Sequence, residues 1–410
     1  MKGKGANFWL QVALFNLVVV ALLGVLLRYK IAFSFPLIHQ KHLLHGHSHF
    51  AFSAWVGQMI MTLLAFTLKE RNQGKGPFEF SHLLAWNSLV AFFMLFAFVY
   101  QGYGPISILF STLSTAINFL FCFRVWSFLR QSKVSSTADY YIQASIIFNV
   151  LSSLGTIFLA YLMSNKINHP EKYLASVYYY LHFQYNGYFI FSCLGLFTYF
   201  LDHVGIKLAH SRPVFWLFAA SLAPAYLLSI MWAKLPVFGY FILVIAALLQ
   251  FLAWFYWLFQ VRKNHSQLKQ GLPATVWFLW ILVALATSLK FSLQLLSIIP
   301  SLSEYAFGFR PVVIAYLHLV LLGVVSLFVL GYARWKGYIQ YNYFLKLALG
   351  LFIGGILLNE LILMLQGMSF LNLVQISFSN ELLFGVAILM FLGALGVFLS
   401  QKFRQNLIQN

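Results

Sequence analysis

Three imidazoles fall within five residues in His45-Gly46-His47-Ser48-His49, at the mouth of an apolar run that continues through Met59, Ile60 and Met61 to Leu68. Two more lie inside apolar runs: His182 in Leu181-His182-Phe183-Gln184-Tyr185-Asn186-Gly187, and His318 in Tyr316-Leu317-His318-Leu319. An ionisable side chain in hydrocarbon is costly, so an intramembrane histidine points to function. The chemistry imidazole offers there is ligation. A haem b held between helices needs one imidazole above its iron and one below, from different helices. His49 and His318 are the expected axial ligands. His45 and His49 are four apart and share a helix face, whereas His47 points nearly opposite. That helix could therefore serve a haem with one ring, and a second metal or a propionate with another. Which of the three ligates is open.

A second constellation is His182, Tyr185 and Asn186, spaced i, i+3 and i+4 on one face, with Tyr178 one turn earlier. Neutral imidazole suits copper or non-haem iron, and a nearby phenol can give a proton or a hydrogen bond. The plainer alternative is a polar seam between helices. A third constellation is Lys290 with Gln294 on the same face. An ammonium in hydrocarbon needs a partner; a haem propionate would serve, as would Glu360 or Glu381. Arg310 is a second propionate candidate. Gly323 and Gly331, after His318, let a macrocycle or a neighbouring helix come close.

The elements that must position these residues are transmembrane helices. Of 410 residues, 61% are hydrophobic and 8% charged, against about 25% charged in a soluble chain. The apolar runs are long and unalternating, which predicts an all-α polytopic bundle rather than a barrel. Twelve helices are expected, at 8–29, 46–68, 80–103, 105–129, 139–163, 173–202, 213–232, 236–261, 273–298, 311–333, 341–366 and 375–399. Breaks fall at Pro36, Gly74 to Pro77, Gly104-Pro105, Ser135-Ser136, Asn168 to Pro170 and similar points. No break is long enough for an extramembrane domain, so one domain, 1–410, is expected. Met1 to Ala6 followed by Phe8 to Leu27 resembles a secretory leader, but Arg28-Tyr29-Lys30 follows, and a retained first helix is expected.

Net charge is +18. It is scattered over short loops, which excludes a nucleic-acid surface and points to orientation in the lipid bilayer. With a cytoplasmic N-terminus, 17 of the 26 Lys and Arg fall in inner segments and seven in outer ones. Both termini are then expected on the cytoplasmic side of a bacterial-type inner membrane. Helices two, six and ten run from outside to inside. His49, His182 and His318 then lie at one level, roughly 5–15 Å below the outer edge at 1.5 Å per residue. Cys122 and Cys193 give no disulfide framework and no CxxC site. There is no Ser-His-Asp pattern, phosphate loop or paired-carboxylate motif.

With these residues in place, the chain resembles the catalytic subunit of the haem-copper oxidase and nitric oxide reductase superfamily. That resemblance implies the oxidase-like twelve-helix bundle, His49 (or His45) and His318 on a low-spin haem, and His182, with Tyr185 nearby, on copper or non-haem iron. Two features of the family are absent. The helix at 213–232 lacks the adjacent histidine pair, and the positions two residues from His318 are Tyr316 and Val320. A standard binuclear centre is therefore not expected. The chain also resembles the NnrS family, linked to nitric oxide stress, through His47-Ser48-His49 and His318…Gly323. Phe50 stands where that family has an acidic residue.

The resulting expectation is a membrane haem protein acting in electron transfer or in chemistry of a diatomic gas such as NO or O₂. An extracytoplasmic electron donor would suit the outer position of the site. His182 and Tyr185, with His45 or His47, would form a second metal pocket. The alternatives of other classes are a small-solute transporter lined by His182, Tyr185, Asn186, Lys290 and Glu360, and a cofactor-free assembly subunit. The colour of purified membranes separates them.

Overall fold

The computed structural model describes residues 5–33, 35–71, 80–131, 136–371 and 377–408. The expected breaks at Gly74 to Pro77 and at Ser135, and the basic residues Lys2, Lys4, Lys75 and Lys133, lie outside them.

The described residues form helices joined by short turns and loops, with no strand among them. Long helices run through all twelve expected stretches: α1 Ala6–Phe33, α2 Gln40–Arg71, α3 Ser81–Gln101, α4 Pro105–Gln131, α5 Thr137–Ser164, α6 over 170–203, α7 Ser211–Ala233, α8 Val237–Lys263, α9 Ala274–Leu296, α10 Arg310–Trp335, α11 Tyr343–Leu371 and α12 Ser379–Ile408. Eleven of them are long and apolar enough to cross a membrane. The chain is that of a multi-pass helical membrane protein. The exception is α6. It has the length, but its centre carries His182, Gln184 and Asn186 among its apolar residues.

Two compact units make up the chain: Met1–Phe123 with Ala333–Asn410, and Arg124–Tyr332. In the first, α1 packs on α2 and α12, α2 on α3, and α11 on α12. One end of this unit joins Glu70, at the end of α2, to Lys336 (2.6 Å) and to the Tyr338 hydroxyl (2.7 Å), just past α10. The Gln401 side chain pairs there with Gln340, and Asn342 Nδ2 donates to Ser400 O. Three segments expected on the same side of the membrane thus meet at one end. In the second unit α6 packs along α5, α7 on α8, and α9 on both α8 and α10. A Cβ on Gly187 would sit 2.6 Å from Phe148 Cβ, so only glycine allows α5 and α6 this close.

Three helices leave the α pattern part-way along. α2 is π-helical over Ala51–Gly57, α6 over His182–Phe189 and α10 over Leu319–Ser326. In each, a backbone N–H reaches five residues back: Gln58 to Ser53 O, Ile190 to Tyr185 O, and Leu327 to Leu322 O. π turns are rare, and they concentrate at functional sites. The register slip also strands carbonyls. Gln58 N–H would bond Ala54 O in an α-helix. Here Ala54 O instead accepts from the Asn16 side chain of α1, at 2.7 Å. Asn87 of α3 donates to Ser53 O at 3.1 Å and to Gln58 Oε1 at 2.8 Å. Asn16, Gln58 and Asn87 are fully buried.

These amides make a testable claim. Asn16→Leu removes the donor to Ala54 O and leaves that carbonyl unpaired in an apolar setting, at a cost of about 1–3 kcal/mol. The expected result is a clearly lowered melting temperature for the detergent-solubilised protein. An unchanged melting temperature would show that the π turn does not depend on this amide.

Candidate functional site

The first unit presents a histidine stripe on α2. His49 Nε2 lies 3.1 Å from the Tyr103 hydroxyl. Its ring stacks on Phe98, with centroids 4.3 Å apart and planes at 13°. A phenol is protonated at neutral pH, so Tyr103 can donate to Nε2 and leave the imidazole proton on Nδ1. His45 stands edge-on to the same Tyr103 ring, 4.6 Å between centroids. His45 and His49 therefore share one face, as their spacing predicts. His47 faces α1, where its Cε1 would be 3.7 Å from a Cβ on Gly24; its Nδ1 is buried without a hydrogen-bond partner. The π segment starts two residues after His49, and Ser53 Oγ ties back to His49 O at 2.8 Å.

The second unit holds the other named residues. His182 is buried, and both of its ring nitrogens are engaged. Nε2–H donates to Leu222 O at 2.8 Å, and Nδ1 accepts from Asn186 Nδ2 at 3.3 Å. The cause lies in α7. After Pro224 the helix tightens, Tyr226 N–H bonds Ala223 O, and Leu222 O loses its α-helical donor. His182 supplies the replacement. To take copper or non-haem iron, His182 would have to give up one of these bonds. Asn186 Oδ1 is buried and unpartnered. Tyr185, also buried, meets Tyr316 of α10 edge-on at 6.3 Å. His318 closes the α-helical start of α10 and immediately precedes its π segment; it is partly exposed. Arg310, at the first residue of α10, is exposed.

Lys290 is 1% exposed, with Nζ 2.8 Å from Gln294 Oε1. Gln294 Nε2 continues to Gln250 Oε1 of α8 at 2.5 Å, and Nζ lies 3.9 Å from the Phe291 ring centre. No carboxylate pairs with Lys290 among the described residues. Glu360 belongs to the other unit, where it accepts from Asn359. The glycine alternatives resolve toward helix packing. A Cβ on Gly323 would meet Ala286 at 3.3 Å, and one on Gly331 would meet Trp280 Nε1 at 2.6 Å.

Tested against a haem, His49 fits an axial role. Its Nε2 is held only by a phenol hydroxyl that can swing away, and the Phe98 stack fixes the ring plane. His182 does not fit a resident metal while Leu222 O and Asn186 hold its ring. Among the described residues no three His, Cys, Asp or Glu side chains are grouped to hold a metal ion. The residues that the sequence reading missed are Asn16, Gln58, Asn87, Phe98 and Tyr103. Lone amides inside apolar runs were the available signal for the first three.

No protein-family model matches this chain, and no curated protein matches it. The likenesses to the haem-copper oxidase and NnrS families rest on the motifs themselves.

The Lys290 geometry separates a structural from a functional lysine. No carboxylate among the described residues neutralises its charge, and removing a buried charge that lacks a counter-ion stabilises. Lys290→Met is expected to keep or raise the melting temperature while impairing function. A fall of several degrees would make the ammonium structural.

Proposed function

We propose that this chain is a multi-pass membrane haem protein acting in electron transfer or in chemistry of a diatomic gas, with His49 as an imidazole that takes the iron. The observation that carries the reading is the coincidence of π turns with histidines. His49, His182 and His318 each lie within two residues of a π segment, and these are the three π segments among the described residues. Such a turn rotates the helix face beyond it and is retained where a side chain must be aimed. The bound haem would supply one-electron chemistry. The chain's own part is to aim His49 through the Phe98 stack and the Tyr103 hydroxyl, and to keep water from the apolar interior.

The Lys and Arg asymmetry supports cytoplasmic termini in a bacterial-type inner membrane. It leaves the outer leaflet, and an electron donor beyond it, for the haem. In this reading His182 is a positioning residue that holds α6 to α7. A second reading, a transporter of a small anionic solute, is favoured by one observation: Lys290 is buried with no carboxylate beside it.

The test is a reduced-minus-oxidised spectrum of the purified protein. A Soret and an α-band are expected. His49→Ala should abolish or shift them. His182→Ala should keep the haem and lower stability by about 1–3 kcal/mol, the cost of the exposed Leu222 carbonyl bond. A folded, colourless protein would overturn the haem reading in favour of the transporter or the cofactor-free assembly subunit.

A further inference from the structure

The stripe on α2 begins two histidines before the ones discussed above. His39 occupies the N-cap position of the helix, without a side-chain cap bond, and His42 lies three residues on. Their ring centroids are 4.5 Å apart, with planes at 47°. Rings this close can present nitrogens about 3 Å from one another, which is what bonds of about 2 Å to a shared ion require.

Three further observations make the pair more than two surface side chains. First, the nitrogens are uncommitted. Neither ring is hydrogen-bonded in the described structure, unlike those of His49 and His182. Second, His42 is seated. Its Cδ2 and Nε2 lie 2.6 Å from where a Cβ on Gly102 would be, and Gly102 has a positive φ of 64°. The ring therefore rests on bare backbone at the end of α3. No other residue there would leave room for it. Third, His39 is exposed, so the remaining coordination positions are open to water.

The surroundings select the kind of ion. The first turn of α2 has no acidic residue, and Lys41 stands between the two histidines. A hard cation such as Ca²⁺ or Mg²⁺ needs carboxylate and carbonyl oxygens. An ion whose bond to imidazole is strong enough to tolerate a nearby ammonium belongs to the later first-row divalent metals, with Cu²⁺ the strongest.

We propose that His39 and His42 form a two-imidazole surface site for a divalent transition metal, Cu²⁺ by preference, at the N-terminal end of α2. Water fills the rest of its coordination sphere. The site is independent of the haem reading, since it uses neither His49 nor His318.

The experiment uses the full-length protein in detergent, stripped with a chelator and titrated with CuCl₂ against a competing chelator. Electron paramagnetic resonance follows the nitrogen couplings. Wild type is expected to bind one equivalent with the signature of two equatorial imidazoles. Loss of either ring, in His39→Ala or His42→Ala, should weaken binding by roughly a hundredfold, the lower range for two donors held on one frame. His265→Ala, which removes another exposed imidazole, should change nothing. Gly102→Ala keeps both histidines but displaces the His42 ring, and should weaken binding while the protein stays folded. Equal Cu²⁺ binding by wild type and a variant carrying both His39→Ala and His42→Ala, or a single-imidazole signature in wild type, would overturn the proposal.

Discussion

A carbonyl without a donor is the constraint on which this structure turns. In water an unpaired C=O costs little, but inside an apolar bundle it costs about as much as a lost hydrogen bond, or more. An unbroken α-helix avoids the problem. This chain breaks the pattern in four helices, three by π turns and one by the tightening after Pro224. Two of the stranded carbonyls then draw in buried polar side chains from neighbouring helices: Asn16 to Ala54 O, and His182 to Leu222 O. A third donor, Asn87, reinforces Ser53 O. Each of these bonds joins two helices, so repairing one helix also fixes its neighbour. In a membrane, where apolar association is weak, such links supply specificity that packing alone does not.

The helices were readable because hydropathy depends only on composition over a window. Runs such as Phe8 to Leu27 announce themselves, and Gly104-Pro105 marks a turn without reference to anything distant. The histidines were readable for the same reason, as costly residues in cheap surroundings. What sequence could not carry was the partner of each. Tyr103 reaches His49 across 54 positions, and Leu222 reaches His182 across 40. Neither has a local signature. The π turns were also hidden, since Ala51-Phe52-Ser53-Ala54-Trp55-Val56-Gly57 reads as ordinary apolar helix. The pair His39 and His42 differs from these. Its spacing is plain in the chain, but the pair precedes the apolar run, where an imidazole is not costly and so carries no signal.

Lys290 shows how burial and role can diverge. A lone ammonium among two glutamines and a phenyl ring is a poor way to stabilise a bundle. Gln294 softens the desolvation by offering its amide oxygen, Gln250 in turn accepts from Gln294 Nε2, and the Phe291 face adds attraction to the cation. Neither neutralises the charge. A bundle under selection for stability alone would place leucine there. That argument does not depend on which ligand or proton the lysine meets, and it sets Lys290 apart from Asp139, whose carboxylate is fully occupied by the Tyr199 hydroxyl at 2.5 Å and the N–H of Ser136.

The two environments of imidazole in this chain follow from the same accounting. His182 lies where a broken helix offers a carbonyl, so its proton is pinned to Nε2 and its other nitrogen to Asn186. Both lone-pair and proton positions are spoken for, and the ring acts as a strut. His49 lies beside a π turn whose carbonyls are already served by Asn16 and Asn87, so its ring is not drawn into the repair. It is left with an aromatic face and one phenol. The buried amides therefore do more than hold α2 in place. By meeting the backbone's demand themselves, they leave a nitrogen of His49 available for ligation.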